Sequence, residues 1–209
     1  MNKGLSNKKI LITSGPTSVA IDQMRVITNR STGEMGRRLA NRCATLGSRV
    51  TILEGAVTTT LPLAKGIRVL KFFFFDELAE LLSIQLKKRP DIVIHAAAIA
   101  DFKPARILKG KIASTDQIIL ELVPTRKLIN GIKKLAPETF LVGFKFEPSI
   151  KIAVRKAQSL IAKAGCNLVV ANSQNLDKYQ ACLVHHDGKT TSPVRTKNEI
   201  VQVLMEEIL

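Results

Sequence analysis

Hydroxyls, glycines, a carboxamide and guanidinium groups crowd the stretch from residue 13 to 36. They fall in Thr13-Ser14-Gly15-Pro16-Thr17-Ser18, then at Arg25, then in Thr28-Asn29-Arg30-Ser31-Thr32-Gly33-Glu34-Met35-Gly36. This set suits an anionic ligand. A helix predicted to start at Gly33 presents unpaired N–H groups and the positive end of its dipole, which together attract phosphate. Gly33 and Gly36 let a ligand approach where a Cβ would otherwise stand, and Arg25 offers a bidentate grip. Ser31 and Glu34 match a capping box. The plainer reading is a capped helix whose glycines serve helix–strand packing. The length of the polar excursion favours function, because connections in α/β units usually take about 2 to 6 residues.

A second group lies in His95-Ala96-Ala97-Ala98-Ile99-Ala100-Asp101-Phe102-Lys103-Pro104, followed by Lys109-Gly110-Lys111-Ile112. Small residues at a strand end admit a ligand close to the backbone. Asp101 either accepts hydrogen bonds from a ribose or an amine, or caps a turn beside Lys103. His95 has no Cys or carboxylate at ligand spacing, so no metal ligation is expected. Lys109 and Lys111 either solvate a basic loop or supply a cation to a phosphoryl group. A third group comprises Val123-Pro124-Thr125-Arg126-Lys127, Gly143-Phe144-Lys145-Phe146-Glu147 and residues 163–172.

Hydrophobic periodicity predicts strands at 9–13, 49–54, 67–75, 91–98, 118–122, 140–144 and 167–171. Helical patterns start at Gly33 and cover 76–88, 126–135, 150–164 and 198–209. Asp76 is the expected N-cap of the second helix, and the Phe72-Phe73-Phe74-Phe75 run reads as core rather than as a base-stacking platform. The alternation implies a mostly parallel sheet with helices on both faces and a ligand crevice beyond the strands' carboxyl ends. Past Asn172 the pattern changes to a hairpin around Asp187-Gly188. One domain over 1–209 is expected, with 173–197 as a hairpin extension.

The 209 residues are 45% hydrophobic, enough for a sizeable core. No apolar run approaches the ~18 residues of a membrane span, and Met1-Asn2-Lys3-Gly4 does not open a signal peptide, so a cytoplasmic location is expected. Cys43, Cys166 and Cys182 lack metal spacing and read as reduced and buried. A formal net charge of +15 favours anionic partners without choosing among nucleic acid, membrane surface and phosphorylated small molecules.

Ile12-Thr13-Ser14-Gly15-Pro16-Thr17-Ser18, Ile21-Asp22-Gln23-Met24-Arg25-Val26-Ile27-Thr28-Asn29 and Ser31-Thr32-Gly33-Glu34-Met35-Gly36 follow, in order and spacing, the motifs of a known family. Through them the chain resembles the phosphopantothenate–cysteine ligases of coenzyme A biosynthesis, over nearly its whole length. The resemblance implies a Rossmann-like ligase joining the carboxylate of 4'-phosphopantothenate to the amine of L-cysteine. The carboxylate attacks the α-phosphate of CTP, giving an acyl-CMP and pyrophosphate, and the amine then displaces CMP. Mg²⁺ rides on the triphosphate, held mostly by phosphate and water.

Carried over residue by residue, the same resemblance gives Gly15, Arg25, Ser31, Gly33 and Gly36 to phosphopantothenate. Asn29 assists the second half-reaction. Lys111 stands at the catalytic lysine position, where an ammonium stabilises charge spreading over phosphoryl oxygens. His95, Ala96, Ala97 and Asp101 become nucleotide contacts. Pro124 and Thr125 open a helix that reads the base, where fused relatives carry Asn-Pro-Asp. Phe144 stacks on the base or sits in the core. Lys163 lies one residue from a triphosphate-binding lysine, with Ala164 at the aligned position. Asn172 faces the pocket. Glu34 replaces a lysine frequent in fused enzymes, and either points away as a cap or weakens the phosphate site. A homodimer is implied, with residues after Asn172 reaching across.

Two other classes share some of these features. An NAD-dependent oxidoreductase would show the same alternation and would use Glu54 as a ribose ligand, but Gly-x-Gly-x-x-Gly is missing after the first strand. A nucleic-acid-binding module fits the pI of about 10.1. Only 4% of residues are aromatic, which leaves few stacking surfaces.

Overall fold

The computed structural model describes residues 4–111, 117–175 and 178–209. Ile112, quoted with the Lys111 loop, lies outside them. In chain order the elements are β1 (Lys9–Ser14), β2 (Ser18–Ala20), β3 (Val26–Thr28), α1 (Glu34–Thr45), β4 (Arg49–Glu54), β5 (Arg68–Lys71), α2 (Phe75–Leu86) and β6 (Ile92–His95). There follow β7 (Phe102–Pro104), β8 (Leu122–Pro124), α3 (Ile129–Leu135), β9 (Phe140–Glu147), α4 (Ile150–Ala164), β10 (Leu168–Asn175), β11 (Lys178–His185) and α5 (Lys197–Ile208).

The central sheet runs β11-β10-β9-β6-β1-β4-β5, parallel throughout except for β11. From β1 the chain moves outward through β4 to β5, then crosses back to β6 on the other side of β1 and moves outward again. The order therefore reverses between β1 and β6, and a crevice opens above their carboxyl ends. Each central strand is apolar on both faces. Ile10, Ile12, Ile94, Val142 and Val170 meet α1 and α5, whereas Leu11, Val93, Leu141 and Val169 meet the layer that includes Leu78 and Leu82 of α2, Ile132 of α3 and Ala153 of α4. The expected doubly covered α/β sheet is therefore present.

Four local expectations are corrected. The run predicted as a strand over 67–75 gives only the four-residue edge strand β5. The Glu77 carboxylate accepts the N–H groups of Phe73 and Phe74 at 2.7 and 3.0 Å, which ends the extended run and starts α2 with Phe74, not Asp76, at its N-cap. Phe72 and Phe75 turn into the core, whereas Phe73 and Phe74 stay exposed with rings edge to face at 5.0 Å. The strand predicted at 118–122 is displaced to β8, which pairs with β7 in a separate ribbon outside the sheet.

The capping box at α1 does not form. Gly33 is the N-cap, in the left-handed region at φ 77°. Glu34 instead reaches sideways to Arg38 and to Lys197 at the start of α5. Those contacts hold its carboxyl below the usual range, the Lys197 hydrogen bond contributing most. Of the alternatives for Glu34, pointing away is what the structure shows, although it points into an inter-helix ion network rather than acting as a cap.

The last strand region extends to Asn175 and returns as β11 in an antiparallel pair. A tight turn at Asp187-Gly188 then brings Thr190 and Val194 back alongside Val184 and Ala181. Thr196 and Glu199 form the capping box of α5.

Candidate functional site at the outlets of β1 and β6

The two outlets are laced together by hydrogen bonds. Ala96 N–H donates to the Thr13 carbonyl at 3.1 Å, Ala98 N–H to the Gly15 carbonyl at 2.9 Å, and Thr17 N–H to the Ala98 carbonyl at 3.1 Å. Side chains add to this. Thr13 Oγ1 accepts from Ala97 N–H at 3.1 Å and lies 3.0 Å from His95 Nδ1, and Thr17 Oγ1 accepts from Ala100 N–H at 2.9 Å. The backbone N–H groups of Ala96 and Ala97 are thus spent on the scaffold. His95 is sealed in, and burial pushes its imidazole down to about 4, so it is neutral. Its Nε2 is buried without a partner.

The mouth of α1 closes over this scaffold because three glycines allow it. A Cβ on Gly15 or on Gly33 would stand 2.8 or 2.1 Å from Val57 Cγ1, and one on Gly36 would stand 2.2 Å from Ser14 Oγ. Ser14 Oγ donates to the Gly33 carbonyl at 3.0 Å. The glycines are therefore required by the chain's own packing, the plainer of the two sequence readings, and that packing sets the first turn of α1 beside the end of β1. Ser31 Oγ accepts from Gly33 N–H at 3.4 Å and stays in this mouth.

Next to the mouth is a cavity of about 240 Å³ lined by Pro16, Ser18, Thr28, Asn29, Ser31 and Thr58, with Phe73 as an apolar wall. Asn29 Nδ2 donates to the Ala98 carbonyl at 2.9 Å, placing this carboxamide against the outlet of β6. Ser18 and Thr28 belong to the hydroxyl-rich set of 13–36, whereas Thr58 and Phe73 lie outside it. The hydroxyl density of 13–18 was the signal for Ser18, whereas Thr58 and Phe73 arrive from β4 and β5 with nothing local to mark them.

Glu54 is completely buried at the end of β4. Arg37 grips it at 2.6 and 3.0 Å, and Lys71 donates to it at 2.5 Å. Burial alone would raise its carboxyl, but the Arg37 and Lys71 hydrogen bonds outweigh it and hold the group below the ordinary range. Arg37 also donates to the Leu61 carbonyl at 2.7 Å, pinning the loop that carries Thr58. Both Glu54 oxygens are taken, so the ribose role required by the oxidoreductase reading is lost.

Other expected residues lie farther away. Arg25 sits at the tip of the β2–β3 hairpin, where Nη1 pairs with the buried Asp22 at 2.9 Å while Asp22 Oδ1 accepts the N–H groups of Met24 and Arg25, both at 2.7 Å. Within one chain it is not in the mouth of α1. Lys111 is exposed and follows Gly110, whose carbonyl accepts from Gln23 N–H at 3.4 Å. The hairpin thus carries Asn29 just past its base and meets the Lys111 loop at its tip.

Asp101 pairs with Lys127 at 2.5 Å. Thr125 is buried and its hydroxyl donates to the Ala100 carbonyl at 2.6 Å, so it braces the β6 outlet rather than offering that hydroxyl to a base. Pro124 pairs with Phe102 in the ribbon. Phe144 is half-buried against the α1/α5 core, and Asn172 lies on that same face near the end of β10.

Lys163 is a clear correction. It lies in the last turn of α4, which runs back from the end of β9 to the start of β10. At 1.5 Å per residue that is ~20 Å from the strand outlets, so it cannot reach a triphosphate held there by its own chain.

An open α/β sheet with small residues, hydroxyls and a helix mouth gathered at the point where strand order reverses defines a Rossmann-like α/β protein with its crevice at that point. The chain belongs to the family described as DNA/pantothenate metabolism flavoprotein C-terminal domain, whose model matches residues 5–209. It is 35% identical over 212 residues to the coenzyme A biosynthesis bifunctional protein CoaBC of Thermococcus kodakarensis, covering 99% of this chain and 52% of that protein. The chain thus spans about half the length of that relative. Its fold matches the DNA/pantothenate metabolism flavoprotein structure from Streptococcus pneumoniae at a TM-score of 0.85 and 26% identity, covering 96% of this chain and 98% of that one. A structure of the C-terminal domain of a CoaBC protein matches at a TM-score of 0.80 and 26% identity, covering 98% of this chain and 96% of that one.

Proposed function

We propose that this chain is a phosphopantothenate–cysteine ligase. One observation carries the reading beyond family membership: the outlets of β1 and β6 are a single bonded unit, with the Asn29 carboxamide tied to its β6 side. A phosphorylated acid in the hydroxyl-lined cavity and the mouth of α1 then lies beside a nucleotide above β6. Holding two anions in register supplies much of the rate, because positioning alone removes a large entropic barrier. The carboxylate attacks the nucleotide α-phosphate to give an acyl-nucleotidylate, acyl-CMP when CTP is the donor, and pyrophosphate leaves. The cysteine amine then displaces the nucleotide. Lys111, on an exposed loop, brings an ammonium to the phosphoryl oxygens. Asn29 orients the acyl group for the amine.

Mg²⁺ fits this site as a passenger on the triphosphate. Asp101 offers one exposed carboxylate at the β6 outlet, and such an ion needs only one or two. Bound there it would neutralise phosphate charge. The reaction belongs in the cytoplasm: all three cysteines are free and buried, as befits a reducing compartment. A homodimer is part of this reading; in place of the contact expected from residues after Asn172, it sets the second copy on the apolar tips of the hairpin and ribbon. Met24, Phe102, Ile107 and Leu122 are 71, 54, 65 and 45% exposed there, and sedimentation of a Phe102→Asp variant as a monomer is the check.

The deciding experiment measures pyrophosphate from phosphopantothenate with each of the four nucleoside triphosphates, with and without cysteine. Pyrophosphate is expected with CTP alone, and amide only when cysteine is added. Amide formation without pyrophosphate would overturn the two-step order, and no product with any nucleotide would overturn the ligase reading.

A further inference from the structure

Asn172 and Tyr179 are diagonal neighbours across the β10–β11 pair, Asn172 facing Ala181 and Tyr179 facing Gln174. By the period-2 alternation of both strands they share the face formed by Leu168, Val170, Ala181 and Leu183, which packs against α1 and α5. On the β9 side Asn172 is in register with Phe146. Glu34, in the first turn of α1, is close enough to act on the phenol. The pair therefore lies beside the helix mouth that the proposed function gives to phosphopantothenate. Asn172 Oδ1 and the Tyr179 hydroxyl are both buried, and neither has a hydrogen-bond partner. Burial pushes the phenol up to about 12, the Asn172 carboxamide beside it pulls the other way, and the Glu34 carboxylate adds to the rise.

A buried hydroxyl donor beside a buried carboxamide acceptor, both unsatisfied, is an arrangement that a small rotation of the carboxamide would relieve. That rotation would let the phenol donate to Oδ1 and turn the Nδ2 donors toward the crevice. We propose that Tyr179 is a positioning residue, which fixes the Asn172 carboxamide so that its N–H groups receive an oxygen of the phosphorylated acid. A substrate that binds the rotated arrangement preferentially would select it. The inference rests on the ligase reading for the identity of the acid. It extends that reading with a residue on β11, outside every motif the sequence singled out.

Tyr179 is the only tyrosine, and the chain has no tryptophan, so its emission reports on this pocket alone. Adding phosphopantothenate without nucleotide should change that emission saturably in the wild-type chain, and the change should vanish in Asn172→Ala. Kinetically, Tyr179→Phe removes one oxygen and keeps the ring. It should raise the KM for phosphopantothenate about five- to tenfold, the effect of one hydrogen bond, with kcat and the thermal midpoint little changed. In a double-mutant cycle it should add nothing to Asn172→Ala. A wild-type KM in Tyr179→Phe, or effects that simply multiply in the double variant, would overturn the positioning role while leaving the ligase reading standing. If no nucleotide yields pyrophosphate, the ligase reading fails, and the emission titration, which needs no turnover, still decides for Tyr179: a saturable change lost in Asn172→Ala supports the pair, and an unchanged emission rejects it.

Discussion

The Asn29 carboxamide donates to the Ala98 carbonyl at 2.9 Å, so the chain segment leaving β3 is tied to the one leaving β6. Asn29→Asp would set a carboxylate oxygen against that carbonyl and lose the donor. Pyrophosphate release should persist, while amide formation falls about 100-fold, the scale of a lost oriented donor. Separate assays of pyrophosphate and of phosphopantothenoylcysteine distinguish the two steps.

Lys111 is exposed beside a left-handed Gly110 at φ 72°. Lys111→Gln should therefore leave the thermal midpoint in place and lower pyrophosphate release about 100- to 1,000-fold. A midpoint that moved with the activity would point to a structural effect instead.

Glu54 is sealed between Arg37 and Lys71. Glu54→Gln leaves the Arg37 guanidinium short of its partner and should cost about 3 kcal/mol, most of it through Arg37 because Lys71 is exposed. The folded carboxyl is held below the ordinary value of 4.5. Its stabilisation is therefore complete above that pH and is lost as pH falls through the folded value. Denaturant titrations from pH 6 to pH 3 should show a steeper acid loss in the wild type than in the variant.

His95 acts in a different window. Its folded value of about 4 lies below the ordinary 6.5, so the unfolded chain takes up a proton that the folded chain refuses. Stability should fall between those two values on acidification, by about 3 kcal/mol if nothing relaxes. His95→Gln should flatten the curve above pH 4.5, where Glu54 contributes little. An unchanged curve in that range would mean that the imidazole is not buried as seen.

The alternating core was legible because its strands are apolar on both faces and its helices on one. Residues 9–13 and 140–144 could hardly be read otherwise, whereas the strand expected over 91–98 stops at His95 and gives its last three residues to the outlet. β5 misled because four phenylalanines look like a buried strand, and only the Glu77 carboxylate, reaching back to two backbone N–H groups, breaks the run. The ribbon was misplaced because 118–122 carries strand character but no sign of which partner it pairs with. At the site, composition located the β1 and β6 outlets, but motif position could not reveal that Arg25 has a buried aspartate beside it or that Lys163 rides to the far end of α4. Tyr179 was invisible for the same reason: its neighbours come from three other elements.

The return of Thr190 to Val194 along β11 has a consequence for crowded solutions. Ala181 and Val194 exchange backbone hydrogen bonds at 3.0 and 2.7 Å, and Thr191 binds Leu183, so the outer border of β11 is already occupied. The opposite border is β5, four residues long and bracketed by Arg68 and Lys71. Neither margin offers a stranger's strand a free, uncharged ladder. Stacking of molecules into fibrils by annexing strands to the central sheet is thus discouraged at both of its ends.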